Sequence, residues 1–152
     1  KIFWNGMANI FKSVVTLIIA ADIFAKGLIG LGFIEGLLDA TQNLGFGSLG
    51  IGVVMTTMIF GASMLMGSGN ASFFAFGPLV PKIAAKLGID PTYLLLPMHL
   101  SASMGRTVSP IAGVVIATAE IAKVSTIDLA KRNFIPLFSC LVFMLVYHNV
   151  VG

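Results

Sequence analysis

The chain has 152 residues, of which 57% are hydrophobic and only 10% charged, and its mean hydropathy is +1.01. Soluble domains carry about 25% charged residues, so this composition excludes an ordinary water-soluble fold and predicts an all-α integral membrane protein. A formal net charge of +3 carried by so few charges argues against a nucleic-acid partner, and the single Cys140 excludes an internal disulfide.

At roughly 20 residues per crossing, the length holds about four to six membrane segments, few for a complete carrier. The text begins at Lys1 and is apolar almost at once, with no soluble domain behind it. The expectation is a single membrane-domain fragment, residues 1–152, of a longer polytopic chain.

Residues 5–25 read as a first span, with Lys12 able to snorkel to the near interface. Asp22 and Lys26 stand four apart, an acid–base helical pair at the far edge rather than a proton relay. Residues 28–44 place Glu35 and Asp39 on one face, which suits an interfacial helix better than a crossing. Residues 42–48 then read as a loop.

From Ala40 to Pro81 no residue is charged. Leu49 to Met66 is an apolar helix of about 27 Å at 1.5 Å per residue. Gly67-Ser68-Gly69-Asn70-Ala71-Ser72 interrupts it, and helix resumes to Leu87 with Asn70 as a natural N-cap. Such an interruption is either a turn in water or an opened backbone buried in protein, since hydrocarbon offers no hydrogen-bond partner. Residues 49–87 are expected to form a re-entrant hairpin with its tip at 67–72. Gly88-Ile89-Asp90-Pro91 is a stop and restart.

Residues 91–122 read as one discontinuous helix, two short apolar pieces parted at 104–110. Ser109 and Pro110 there suit N-cap and first helical position. Lys123 to Arg132 reads as the most charged loop, and residues 133–151 as a closing span. With a re-entrant hairpin, Lys1, Lys12, Lys123, Lys131 and Arg132 share one side against Lys26, Lys82 and Lys86, and the larger set is assigned to the cytoplasm. A plain turn at 67–70 would instead split the basic residues evenly.

Each break leaves a helix N-terminus with unpaired N–H donors and roughly +0.5 of a charge. Ser68, Asn70, Ser72, Thr107 and Ser109 add side-chain donors, and neither break holds an acid. That chemistry suits an anion; hydroxyl, amide and carbonyl oxygens could alternatively hold a small cation. Arg106, the only charge between Pro91 and Ala119, needs a partner or a water-filled cavity. A substrate carboxylate is one candidate; an aqueous loop or a carboxylate elsewhere in the protein is the other. His99 reads as hydrogen-bonded structure. No cofactor or metal is expected, because there is no metal-spaced His/Cys cluster and no phosphate-binding loop, and an enzyme is not expected.

The stretches MGSGNASFFAFGPLVPKIA and YLLLPMHLSASMGRTVSPIAGVVIATAEIAKVS resemble the C-terminal part of the DcuC-type anaerobic carriers of four-carbon dicarboxylates. The likeness covers essentially the whole chain and is most specific at GSGNASFFAF and GRTVSPIAGV. More distantly the layout is similar to the ion-transporter superfamily of divalent-anion carriers. The resemblance implies one inverted repeat of a secondary transporter, whose partner is the N-terminal half of the same protein, working as a homodimer in the bacterial inner membrane. It implies transport of fumarate, succinate and malate, by exchange or succinate efflux. Ser68, Gly69, Asn70, Ala71 and Ser72 fall on the superfamily's hairpin tip; Thr107, Ser109 and Pro110 fall on its helix break, with Arg106 beside them. The tip has an extra Gly and a Ser for Thr, and the break has one proline, departures that put sodium coupling in doubt. The alternatives are a related carrier for an amino acid, a cation–proton antiporter, or a membrane subunit that transports nothing.

Overall fold

The computed structural model describes residues 2–43 and 47–151. They form eight α-helices: α1 (Ile2–Gly30), α2 (Phe33–Asn43), α3 (Gly47–Met66), α4 (Gly69–Phe76), α5 (Val80–Leu87), α6 (Pro91–Thr107), α7 (Gly113–Ala122) and α8 (Thr126–Val151). Among the described residues there is no strand. Three of the described stretches are long and apolar enough to cross a bilayer: Phe3–Gly30, Leu49–Met66 and Thr126–His148. The first and last show most of their apolar side chains on the outside, Trp4, Phe11, Ile135 and Phe143 among them. In water that surface would be costly, whereas in lipid it needs no other cover.

The centre is the pair α3 and α6. Ile51, Met55 and Ile59 of α3 are fully buried at four-residue spacing, as are Leu94 and Met98 of α6, followed by Ala102 at 2% exposure. Residues four apart share one helix face, so each helix presents a single ridge to its neighbour. Three contacts fix the register. Gly52 lies against Leu94, Ser101 Oγ donates to the Thr56 carbonyl at 2.6 Å, and Gly105 sits against Phe60 and Ser63. Residue numbers rise together along both helices, so α3 and α6 run parallel.

The segment between them must therefore return the chain to its starting level. It turns at Gly67, whose φ of +66° is left-handed and costs glycine little. It then runs back as α4, a 3-10 turn over Gly77–Leu79, and α5. Pro78 and Pro81 remove two backbone donors, which accounts for the tightened turn between α4 and α5. Leu79, Val80 and Ile83 enter the same core as Leu94 and Met98. Gly88, at φ +68°, ends α5, and the Asp90 side chain caps α6 through the Thr92 N–H at 2.7 Å, with Pro91 in the first turn.

Several expected boundaries move. The first helix runs on to Gly30, and the helix expected to lie at the interface starts only at Phe33, after a turn with Gly32 at φ +75°. Its Ile34, Leu38 and Thr41 face inward, while Glu35 pairs with Lys86 of α5. Of the loop expected over 42–48, Asn43 ends α2, Gly47 begins α3, and residues 44–46 lie outside the described residues. The charged stretch expected as a loop is partly helix: Thr126 to Arg132 are the first two turns of α8. Further along α8, Leu141 packs with Phe60 and Val108 in a second, smaller core.

Candidate functional site

The first break spans two residues, Gly67 and Ser68. Ser68, not Asn70, is the N-cap of α4: its backbone is extended at φ −139° and ψ 111°, and its Oγ accepts the Ala71 N–H at 3.3 Å. Cap residues need this non-helical geometry, and Asn70 is already inside the helix. Ala71 supplies that capped N–H, while the Asn70 side chain is exposed. Ser72 turns the other way. It is fully buried, hydrogen-bonds Ser63 of α3, and donates to the carbonyls of Ser68 at 3.2 Å and Gly69 at 3.0 Å.

The second break also lies further on than expected. α6 continues to Thr107, and the interruption covers residues 108–112. Two turn bonds carry the chain across it, Ser109 N–H to the Arg106 carbonyl at 3.2 Å and Ala112 N–H to the Ser109 carbonyl at 3.3 Å. Pro110 has no N–H to extend the ladder and lies in the break rather than in the first helical position. The position capping α7 is Ala112, whose side chain makes no cap bond. Ser109 is buried with its hydroxyl unpartnered. The first N–H groups of α7 thus lack both an intrahelical acceptor and a side-chain cap.

The two breaks touch. A Cβ on Gly67 would lie 3.0–3.1 Å from side-chain and backbone atoms of Ile111, and a Cβ on Gly69 would lie 2.7 Å from the Ala102 carbonyl oxygen. Parallel packing of α3 and α6 brings their ends to one level, so the break after each falls beside the other. Arg106 and Thr107 are exposed there; Thr107 Oγ1 donates to the Ser103 carbonyl at 2.8 Å, and Asn133 of α8 donates to the Thr107 carbonyl at 3.3 Å. Among the described residues Arg106 has no carboxylate partner. His99 stands edge-on to Phe73 with ring centroids 5.0 Å apart.

The expected residues separate by exposure, with Ser68, Ala71 and Pro110 half-buried between two extremes. Asn70, Arg106 and Thr107 are exposed near the breaks, while Gly69, Ser72 and Ser109 are buried and shape the backbone around them. Ser63, Ser101 and Gly105 were not singled out from the sequence. Two small residues four apart, Ser101 and Gly105, are a signal for close helix approach that would have pointed to those two. Among the described residues no group of three or more His, Cys, Asp or Glu could hold a metal ion.

Comparison with known proteins matches residues 1–151 to the family described as the C4-dicarboxylate anaerobic carrier, DcuC. A DcuC protein of Vibrio cholerae is 41% identical over 143 residues, which cover 94% of this chain and 31% of that protein. The anaerobic C4-dicarboxylate transporter DcuC of Escherichia coli K12 is 40% identical over 146 residues, 96% of this chain and 32% of that protein. The chain thus spans about a third of the length of these curated relatives. No solved structure matches it.

Proposed function

We propose that this chain, which belongs to the C4-dicarboxylate anaerobic carrier (DcuC) family, forms part of the substrate path of a secondary carrier for four-carbon dicarboxylates. The observation that carries this reading is the meeting of two acid-free helix breaks at Gly67 and Ile111. A dianion leaving water must exchange its hydration shell for donors. Here α7 offers N–H groups without a side-chain cap, and Asn70, Arg106 and Thr107 stand exposed nearby. Discontinuous membrane helices serve this purpose in other secondary transporters.

In this reading α3 with α4 and α5 is a re-entrant hairpin, and α6 with α7 is one interrupted crossing. Ser68, Gly69, Ala71, Ser72, Ser109 and Pro110 hold the two openings in shape, while Asn70, Thr107 and Arg106 meet the solute. The rest of the site comes from an inverted N-terminal repeat of the same protein, and the carrier works as a homodimer in the bacterial inner membrane. Fumarate, succinate and malate are the solutes, moved by exchange or as succinate efflux.

The test is uptake of labelled succinate into proteoliposomes preloaded with fumarate, using the full-length protein. Fast exchange is expected, and Asn70→Ala should slow it about tenfold or more, the value of one hydrogen bond to a charged group. Arg106→Ala should weaken it similarly. A full rate in both variants would remove the breaks from the substrate path. Exchange of a cationic solute, with none of any dicarboxylate, would favour the alternative carrier.

A further inference from the structure

We propose that the junction of α7 and α8 seats one anionic phospholipid, its phosphate held by Lys123, Lys131 and Arg132 and an acyl chain lying beside the second helix break. A cavity of about 580 Å³ opens between the end of α7 and the first turns of α8, lined by Lys123, Ser125, Asp128, Lys131 and Arg132. Three cations face one carboxylate there, and among the described residues none of them forms an ion pair. Lys123 is also the one non-glycine residue, among those described, with a left-handed backbone, at φ 52°.

A second hollow of about 210 Å³ adjoins the first and shares Lys131 with it. Apart from Lys131 its walls are apolar: Met64, Val108, Pro110, Ile127 and Phe134 are among them. A free phosphate would use only the charged cavity. A molecule with an anionic head and a hydrocarbon tail uses both, and the lysine between them sits where head and tail join. The site also lies at the start of α8, one of the stretches able to cross a bilayer, where basic residues meet anionic headgroups. Asp128 fits a hydroxyl of the headgroup, as a glycerol would supply. This seat is independent of which solute the carrier moves.

The test uses the full-length protein in detergent. Native mass spectrometry follows binding of dioleoyl-phosphatidylglycerol and dioleoyl-phosphatidylcholine, and calorimetry follows inorganic phosphate. Phosphatidylglycerol should bind in preference to phosphatidylcholine. Lys131→Gln with Arg132→Gln should weaken it about fivefold for each cation removed. Lys12→Gln with Lys82→Gln, which removes the same charge elsewhere, should leave it unchanged. Ile127→Asn, in the groove, should weaken the lipid but not inorganic phosphate. Equal binding in the Lys131/Arg132 variant, with an unchanged melting temperature, would overturn the seat. Phosphatidylglycerol binding no tighter than inorganic phosphate would make it a site for a free anion and overturn the lipid.

Discussion

At Gly69 and Gly105 the backbone of one helix lies where a side chain would otherwise be. A Cβ at Gly69 would come within 2.7 Å of the Ala102 carbonyl oxygen, and one at Gly105 within 2.8 Å of Ser63 Cβ with the Phe60 carbonyl also in the way. The obstructing atoms belong largely to backbone inside helices, so the neighbour cannot swing aside. Gly69→Ala and Gly105→Ala should each destabilise the protein by about 1–3 kcal/mol, the usual cost of forcing extra volume into a packed core. Gly61 of α3 has nothing within 4 Å of its would-be Cβ. Gly61→Ala should therefore stabilise, by about 0.4–1 kcal/mol through lost freedom in the unfolded chain. Melting temperatures of the three variants, moving down, down and up, check both signs. At this scale the sequence announced that glycines matter near the first break. Which of them face a neighbouring backbone, and which face open space, depends on the register of α3 against α6.

A helix end has to satisfy its own first N–H groups, and α4 does so with a single hydroxyl. Ser68→Ala should loosen α4 by about 1 kcal/mol, as loss of an N-cap typically does. Ser68→Asp keeps an acceptor in the same place and adds a negative charge at the break. It should melt near the parent temperature yet carry dicarboxylate more slowly, because a dianion would then meet a like charge. Thermal melts read beside succinate exchange separate the two effects. If the aspartate variant exchanged at the parent rate, the α4 end would not face the solute. The cap itself was only partly legible. The run of Ser68, Asn70 and Ser72 offers three capping side chains within five residues, and local propensity ranks Asn and Ser alike. The choice fell to Ser68 because Gly69 is pressed against α6, which sets where the helix can begin. Likewise Ser109 and Pro110 have the residue types of a helix start, but packing of Val108 into the smaller core draws the chain inward and delays α7 to Gly113.

At the scale of the whole molecule, among the described residues one ion pair joins parts of the chain distant in sequence, Glu35 of α2 and Lys86 of α5. The hydrogen bond from Lys86 holds the Glu35 carboxyl below its ordinary value, with its own backbone hydrogen bond adding to the effect. A lowered folded-state value means the pair's support is complete above the ordinary glutamate range and disappears as pH falls through the lowered value. Both groups are exposed, so the effect should be small and weakened by salt. Melting temperature followed from pH 7 down into the acid range should fall more in the parent than in Lys86→Gln. Parallel acid curves for the two proteins would mean the contact contributes nothing.

By itself the sequence determined that the chain is an all-helical membrane protein of the C4-dicarboxylate anaerobic carrier family, and that glycine turns punctuate its helices near residues 67 and 88. Composition decides the solvent, and glycine and proline act on the backbone locally, so neither depends on distant residues. Only the tertiary structure decided that α3 and α6 run parallel, that the two breaks meet at Gly67 and Ile111, and that Ser72 and Ser109 turn inward while Asn70 and Arg106 face out. Those outcomes follow from the register of two helices separated by a chain reversal. Register is set by contacts between residues far apart in sequence, such as the Ser101 hydroxyl on the Thr56 carbonyl 45 positions away, and no local pattern in the sequence contains it.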